Sequence, residues 1–247
     1  MFSIVTFNVR MPWPSDGVNF FPYRLPMITD KIMAEKPDLV CFQELTQDSW
    51  KAMSVLLPEY TFFGSSREKD LSGESTRIAY RRERFELVSG DHFWLSDTPH
   101  VPGSRYADQS DCPRVADMVR LYDQETGNQF FAINTHLDHR SDSARQKGLQ
   151  QIFDYIAVLN AEEMPVFLTG DFNFTPDDPA YKLIEKNQFS DLTSGISDSY
   201  HGYGTVTGDK IDYILYHGPA QKFSLSVWHE ERDSRFLSDH DAVCIKC

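Results

Sequence analysis

Six stretches of this sequence place polar or charged side chains at the end of a short apolar run or directly beside one. Phe7-Asn8 closes Ser3–Val9, and Gln43-Glu44 closes the run from Asp38. Asn134-Thr-His136-Leu-Asp138 closes the second arm of a hairpin. Gly170-Asp-Phe-Asn173 follows Pro165–Thr169, Ile211-Asp-Tyr213 lies within a later run, and Ser238-Asp-His240 directly precedes Ala242–Lys246. A single Asp or Asn after a strand is an ordinary turn residue. Six such sets spread along the whole chain are hard to explain as turns. They fit a rigid sheet scaffold that presents working side chains on its loops.

The runs between these sets have readable periods. Ser3–Val9 and Asp38–Gln43 are rich in β-branched and aromatic residues and are predicted as buried strands. Leu25, Ile28, Ile32 and Met33 have helical spacing within Tyr23–Lys36, which Pro37 stops. Thr46 is predicted to cap a helix ending at Leu57, before Pro58. Strands are predicted near Tyr60–Gly64, Thr76–Arg81, Phe85–Trp94, Val115–Asp123 and Gln129–His136, the last two joined by a hairpin turn over Gln124–Asn128. The longest helix is Ser143–Asn160, with a short one over Pro179–Lys186. Strands return at Lys210–Tyr216, Gln221–His229 and Ala242–Lys246, and the Gly-rich stretch Gly195–Gly208 is predicted as a loop, possible cover for the site. Many strands with few helices indicate two sheets packed together with helices outside.

Composition narrows the functional class. No linker, repeat or composition break divides the 247 residues, so one domain over residues 1–247 is expected. The net charge of −13 lacks the basic surplus of a protein that grips long duplexes, so a small or end-bound substrate is expected. Cys244 and Cys247 form a lone C-x-x-C without the second pair a structural zinc site needs. No run reaches the roughly 18 apolar residues of a membrane span. Nor does the N-terminus look like a signal peptide. A cytoplasmic monomer is expected. There is no G-x-S-x-G elbow for a serine hydrolase.

The ordered series Thr6-Phe-Asn-Val-Arg10, Gln43-Glu44, Asn134-Thr-His136, Gly170-Asp-Phe-Asn173, Ile211-Asp-Tyr-Ile214 and Ser238-Asp-His240 resembles the endonuclease/exonuclease/phosphatase superfamily. Phe93–Pro99 and Pro113-Arg114 resemble its bacterial and fungal members, related to CCR4/nocturnin-type proteins. The resemblance covers essentially the whole chain. It implies an α/β fold, a four-layer α/β/β/α sandwich of two mixed, mostly antiparallel sheets packed face to face.

Residue chemistry and the resemblance agree on roles. A phosphoester hydrolase must neutralise phosphoryl oxygens, deliver water in line and release the leaving oxygen. Oxygen ligands suit Mg²⁺ or Mn²⁺. Glu44 is the first candidate ligand, with Asn8 and Asp239 completing the set directly or through water. His240 is the candidate general base or phosphate clamp, and Asp212 matches the family position that pairs with it. His136 suits phosphate binding or protonation of the leaving oxygen, and Asp171 with Asn173 would hold the attacking water. Members of the superfamily differ on whether this Asp or the final His is the base. Arg114 is a candidate phosphate contact. Glu74 resembles the Glu that orients the second His in the deoxyribonuclease branch. Asp138 is expected to bind metal or fix its loop, Arg145 to contact phosphate or form a salt bridge, and His139 to be structural. Trp13, Phe20, Phe21, His201 and Tyr203 are candidates to touch substrate or to pack. Activity on nucleic-acid ends is the alternative reading, and a non-catalytic binding module is a minor one.

Overall fold

The computed structural model describes residues 2–247. In chain order the first elements are β1 (Ser3–Asn8), α1 (Phe21–Glu35), β2 (Leu39–Gln43), β3 (Leu45–Thr46), α2 (Gln47–Leu56), β4 (Tyr60–Phe63), β5 (Glu74–Ser75), β6 (Ile78–Arg81) and β7 (Phe85–Trp94). Next come β8 (Val115–Asp123), β9 (Gln129–His136), α3 (Asp142–Leu159), β10 (Val166–Asp171), α4 (Lys182–Lys186) and β11 (Ser190–Asp191). The chain closes with β12 (Asp212–His217), β13 (Ser224–Trp228), β14 (Glu231–Arg232), β15 (Arg235–Phe236) and β16 (Ala242–Lys246). The long elements lie where the sequence periodicity put them. A 3₁₀ turn over Pro14–Asn19 and the two-residue strands carry too little pattern to be read in advance.

One sheet has the order β13-β16-β1-β2-β6-β4 and the other β11-β12-β10-β9-β8-β7. β1 with β2 and β9 with β10 are parallel; the remaining neighbours are antiparallel. Ile4, Leu39 and Ile78 of the first sheet share a core with Val119, Phe130 and Ile214 of the second. Ile28 and Ile32 of α1 and Met53 of α2 cover the outer face of the first sheet, against Val5, Val40 and Phe42. Leu149, Ile152 and Phe153 of α3 cover the other, against Phe131, Ile133 and Leu168. The expected α/β/β/α sandwich is thus formed, and each large buried side chain contributes roughly 1.5–3 kcal/mol.

Both faces of the central strands are buried, which is why they read as continuous apolar runs. Alternation still governs them. On the inter-sheet face β1 carries Ile4, Thr6 and Asn8, and β2 carries Leu39, Cys41 and Gln43. β9 carries Ala132, Asn134 and His136, and β10 carries Phe167, Thr169 and Asp171. Each strand therefore passes from an apolar residue, through a small or neutral one, to a strongly polar one at the same end. The local stops are equally specific. Thr46 Oγ1 accepts from Ser49 N (3.3 Å) as cap of α2, and Ser141 Oγ from Ala144 N (3.1 Å) as cap of α3. Lys36, in the left-handed region at φ 49°, ends α1 before Pro37. Gly170 is needed where β10 approaches β9, because a Cβ there would lie 2.2 Å from the Thr135 carbonyl oxygen. Among the described residues no helix is long and apolar enough to cross a membrane.

Candidate active site

Strand register assembles the polar ends. Asp171 is opposite His136 on one side and Asp212 on the other, and Asn8 is opposite Gln43. The two sheets are then tied by amides: Gln43 Nε2 donates to Asn134 Oδ1 (2.7 Å), and Asn134 Nδ2 to the Phe42 carbonyl (2.8 Å). Above this buried floor lies a cleft of about 450 Å³, lined among others by Glu44, His136, Asp171, Asn173, Asp239 and His240. Arg10, Glu44 and Asn173 line it with φ of 55°, 62° and 53°. Non-glycine residues in this region are strained, and such strain is common at functional sites.

Asp171 is the hub. Its Oδ2 accepts from Asn8 Nδ2 (3.0 Å) and faces His136 Nε2 at 3.4 Å and His240 Nε2 at 3.8 Å. Its Oδ1 accepts from Asn173 N (3.0 Å). Behind His240, Nδ1 meets Asp212 Oδ2 at 2.8 Å, and that same oxygen accepts from Ser199 Oγ (2.7 Å). Glu44 is fixed by Asn8 Nδ2 (3.0 Å) and Met11 N (2.9 Å).

Burial and neighbouring charges set the protonation of this group. Burial opposes charge on His240, yet Asp212, then Asp171 and Asp239, push its pKa up to about 10. The ring is therefore an imidazolium at neutral pH. Burial, reinforced by Asp212, pushes Asp171 up to about 7. His136 is held well below the usual histidine range by burial and by Arg114 and Arg67, so it is neutral. Burial disfavours the Glu44 anion, but hydrogen bonds from Met11 N and Asn8, with His240 and Arg10, hold its carboxyl below the usual value. The same rim carries Arg10, whose Nε lies 3.3 Å from Asp16 and 3.7 Å from Asp239.

The structure brings together Asn8, Glu44, Glu74, Arg114, His136, Asp171, Asn173, Asp212, Asp239 and His240; Asn8 and Glu74 depart from expectation, while Asp138 and Arg145 take the structural one of their two expected roles. Asn8 turns its carbonyl oxygen to the Arg10 N–H (2.9 Å) and its amide nitrogen to Glu44 and Asp171, so it brackets two carboxylates instead of offering an oxygen directly to a cation. Glu74 makes a two-pronged ion pair with Arg67 (2.7 and 2.9 Å), and it is Asp171 that faces His136 Nε2. Asp138 fixes its loop, accepting from Ser110 Oγ, Arg140 N (3.0 Å) and Ser141 N (2.8 Å). Arg145 is spent on the Asp138 carbonyl (3.0 Å), Asp142 and Asp178, outside the cleft lining.

Arg114 does face the cleft. It is buried, contacts His139 Nδ1 through Nη2 (3.0 Å) and faces Asp138 Oδ2 through Nε (3.9 Å), while Nη1 makes no hydrogen bond. Buried N–H groups of this kind are costly until an acceptor arrives, which suits an anion site. His139, expected to be structural, meets Arg114 and also lines the cleft. Arg10, Arg67, Ser199 and Tyr200 were missed by sequence reasoning, because each reaches the site through a loop whose path no period reveals. Tyr200 lines the cleft with its ring 4.9 Å from that of His240. Of the aromatic candidates, Trp13 lines the cleft and is 47% exposed. Phe21 is buried in the core and Phe20 packs on Tyr23. His201 and Tyr203 lie outside the lining.

The donor set fits a hard divalent cation. Glu44 and Asp239 present carboxylate oxygens to the cleft, and Asp171 stands beside them. Asp171, Asp212 and His240 also form a tight cluster, within which His240 Nδ1 is already bonded to Asp212 Oδ2 (2.8 Å).

Known proteins share this architecture. A solved endonuclease/exonuclease/phosphatase from Bacteroides vulgatus superposes with a TM-score of 0.92 at 28% identity, over 99% of this chain and 97% of that one. An uncharacterized protein of Acanthamoeba polyphaga mimivirus is 28% identical over 69% of this chain and 65% of its own length. The CCR4-Not complex 3'-5'-exoribonuclease subunit Ccr4 of Saccharomyces cerevisiae is 23% identical over 66% of this chain, which spans only 23% of that protein. The family model described as Endonuclease/Exonuclease/phosphatase family matches residues 5–240, from the first strand to the final histidine of the cleft, and the chain belongs to that family.

Proposed function

We propose that this chain is a divalent-metal-dependent phosphoester hydrolase, cleaving a phosphodiester or phosphomonoester by in-line attack of water. The observation that carries this reading is the convergence of His136, His240 and Asn8 on one oxygen of Asp171, in a cleft that also presents Glu44 and Asp239. Glu44 and Asp239 would hold Mg²⁺ or Mn²⁺, with Asn8 keeping Glu44 aimed. When bound, such an ion supplies Lewis-acid neutralisation of a phosphoryl oxygen and of the leaving oxygen.

The remaining chemistry falls to the chain itself. Asp171, pushed up to about 7, can take a proton from water near neutral pH, and the Asn173 backbone N–H (3.0 Å) fixes the angle of its carboxylate. His240 carries positive charge and suits a clamp on the phosphoryl group, with Asp212 as its orienting partner. Neutral His136 can donate one hydrogen bond to a phosphoryl oxygen. Arg114, whose buried Nη1 makes no hydrogen bond, suits a non-bridging oxygen. The cleft volume of about 450 Å³ suits a small or end-bound substrate.

The test is release of nitrophenol from bis-p-nitrophenyl phosphate and from a phosphomonoester panel, with Mg²⁺ or chelator. Glu44→Gln and His240→Ala are each expected to lower kcat by roughly 10²-fold or more. Near-wild-type turnover of either variant refutes the assignment.

A nuclease acting on nucleic-acid ends is the second reading. It is favoured by half-exposed Trp13 on the rim, a surface on which a base can stack. The likeness to a yeast 3'-5'-exoribonuclease subunit also favours it. Shortening of single-stranded oligonucleotides, lost on Trp13→Ala while small esters are still cleaved, separates this reading from the first.

A further inference from the structure

Away from the catalytic cleft, three side chains converge in a way that the proposed hydrolysis does not use. His201 Nε2 lies 3.3 Å from Asp241 Oδ1, and His229 Nδ1 lies 2.8 Å from the same oxygen. The donor atoms of the three residues all lie within 4.8 Å of one another. Asp241 is buried and His201 half-buried, whereas His229 is exposed, so the group is held on one side and open on the other. Phe236 packs beside both imidazoles, at 5.2 and 6.1 Å between ring centroids.

We propose that His201, His229 and Asp241 form a second cation site that takes a borderline transition ion of the Zn²⁺ class, with water completing its coordination. Two imidazole nitrogens and one carboxylate oxygen suit such an ion better than Mg²⁺, which prefers oxygen ligands alone. Ligands about 2.1 Å from a tetrahedral ion stand roughly 3.4 Å apart. The His201–Asp241 spacing already has that value, and the exposed His229 ring is free to open the shorter one. One internal adjustment is required. His201 Nδ1 now accepts from Gly204 N (3.2 Å), and it must carry the ring proton once Nε2 binds the ion. Gly204 N–H keeps its shorter bond to the His201 carbonyl (2.9 Å), so only the weaker contact is lost.

The location gives the site a consequence. His201 N and Gly202 N both donate to the Asp239 carbonyl (2.9 and 3.1 Å), and Asp241 N donates to the Ser199 carbonyl (2.7 Å). An ion bridging His201, His229 and Asp241 would pin the loop that carries Ser199 and Tyr200 to the segment that carries Asp239 and His240. The site stands whether or not the hydrolase reading holds, because no residue of it touches the cleft.

The experiment uses the full chain in excess Mg²⁺. Zn²⁺ binding is measured by equilibrium dialysis, the Co²⁺ visible spectrum is recorded, and the thermal midpoint is followed with and without Zn²⁺. Wild type is expected to bind one Zn²⁺ that Glu44→Gln and Cys112→Ser retain, to give an intense low-coordinate Co²⁺ spectrum, and to melt higher with Zn²⁺. His229→Ala and Asp241→Asn are each expected to weaken that binding by at least about 100-fold, since even an outer partner of a ligand is worth 10–100-fold. Equal Zn²⁺ affinity in wild type and His229→Ala overturns the proposal, as does loss of the ion in Glu44→Gln or Cys112→Ser, or no uptake by wild type.

Discussion

Replacing Asp212 with Asn keeps the shape behind His240 and removes its charge. The ring is buried, which by itself disfavours the imidazolium, yet its pKa stands at about 10 against 6.5 for a free histidine, with Asp212 the largest raising influence. That separation amounts to on the order of 5 kcal/mol between the two protonation states. A folded pKa above the unfolded one means stability that is fully present below pH 6.5 and is lost as pH rises through about 10. In chelator-treated Asp212→Asn protein the desolvation cost persists while its main compensation is gone. The His240 midpoint is expected to fall by at least about two units, and the unfolding free energy below pH 6.5 by about 3 kcal/mol, the scale for breaking a buried pair. Titration of ¹⁵N-labelled imidazoles by NMR gives the midpoint, and urea unfolding gives the free energy. A midpoint left at its wild-type position would show that Asp212 does not hold the charge. If so, the clamp assigned to His240 loses its physical basis.

Asp171→Asn is expected to abolish turnover yet stabilise the metal-free protein by about 2 kcal/mol near neutral pH. The wild-type carboxyl, raised from 3.8 to about 7, costs stability progressively as pH rises between those values; denaturant midpoints that respond identically to pH in both proteins would contradict this. Gly170→Ala drives a methyl to 2.2 Å from the Thr135 oxygen and is expected to cost about 3 kcal/mol or more, checked by urea unfolding. Arg24, fully buried, donates to the carbonyls of Asn19, Leu237, Val9 and Arg10. Arg24→Met leaves these acceptors unsatisfied and is expected to cost about 3 kcal/mol or more, with loss of activity, since Arg10 lines the cleft. An unchanged melting temperature would refute that role.

Most of the site was legible in the sequence because it is written in the strands. Asp171, His136 and Asp212 occupy paired register positions, so finding the strand ends finds the residues. His139 lies beyond the end of β9 at His136, where strand alternation no longer tells which way a side chain faces, so its place in the cleft lining could not be read in advance. Glu74 went to Arg67, seven residues away in its own loop, a pairing that a two-residue strand does not announce. For Arg145 two roles were open, and distance settles between them: Asp142, Asp178 and the Asp138 carbonyl take up the side chain. Asn8 was placed correctly, but which end of its amide faces the cleft depends on Arg10 N–H, a feature of the turn.

The Gln43–Asn134 and Asn8–Asp171 bonds stitch one sheet to the other at the mouth of the sandwich. Neither sheet alone owns a working centre: one brings Glu44 and the loop with Asp239, the other His136 and Asp171. On the hydrolase reading proposed above, turnover is thus expected to gauge how tightly the halves are docked. Slippage of the seam is then expected to abolish the proposed hydrolysis while the strands and helices persist. On heating, catalysis should fade together with the near-ultraviolet signature of the packed interior, ahead of any loss of backbone ellipticity.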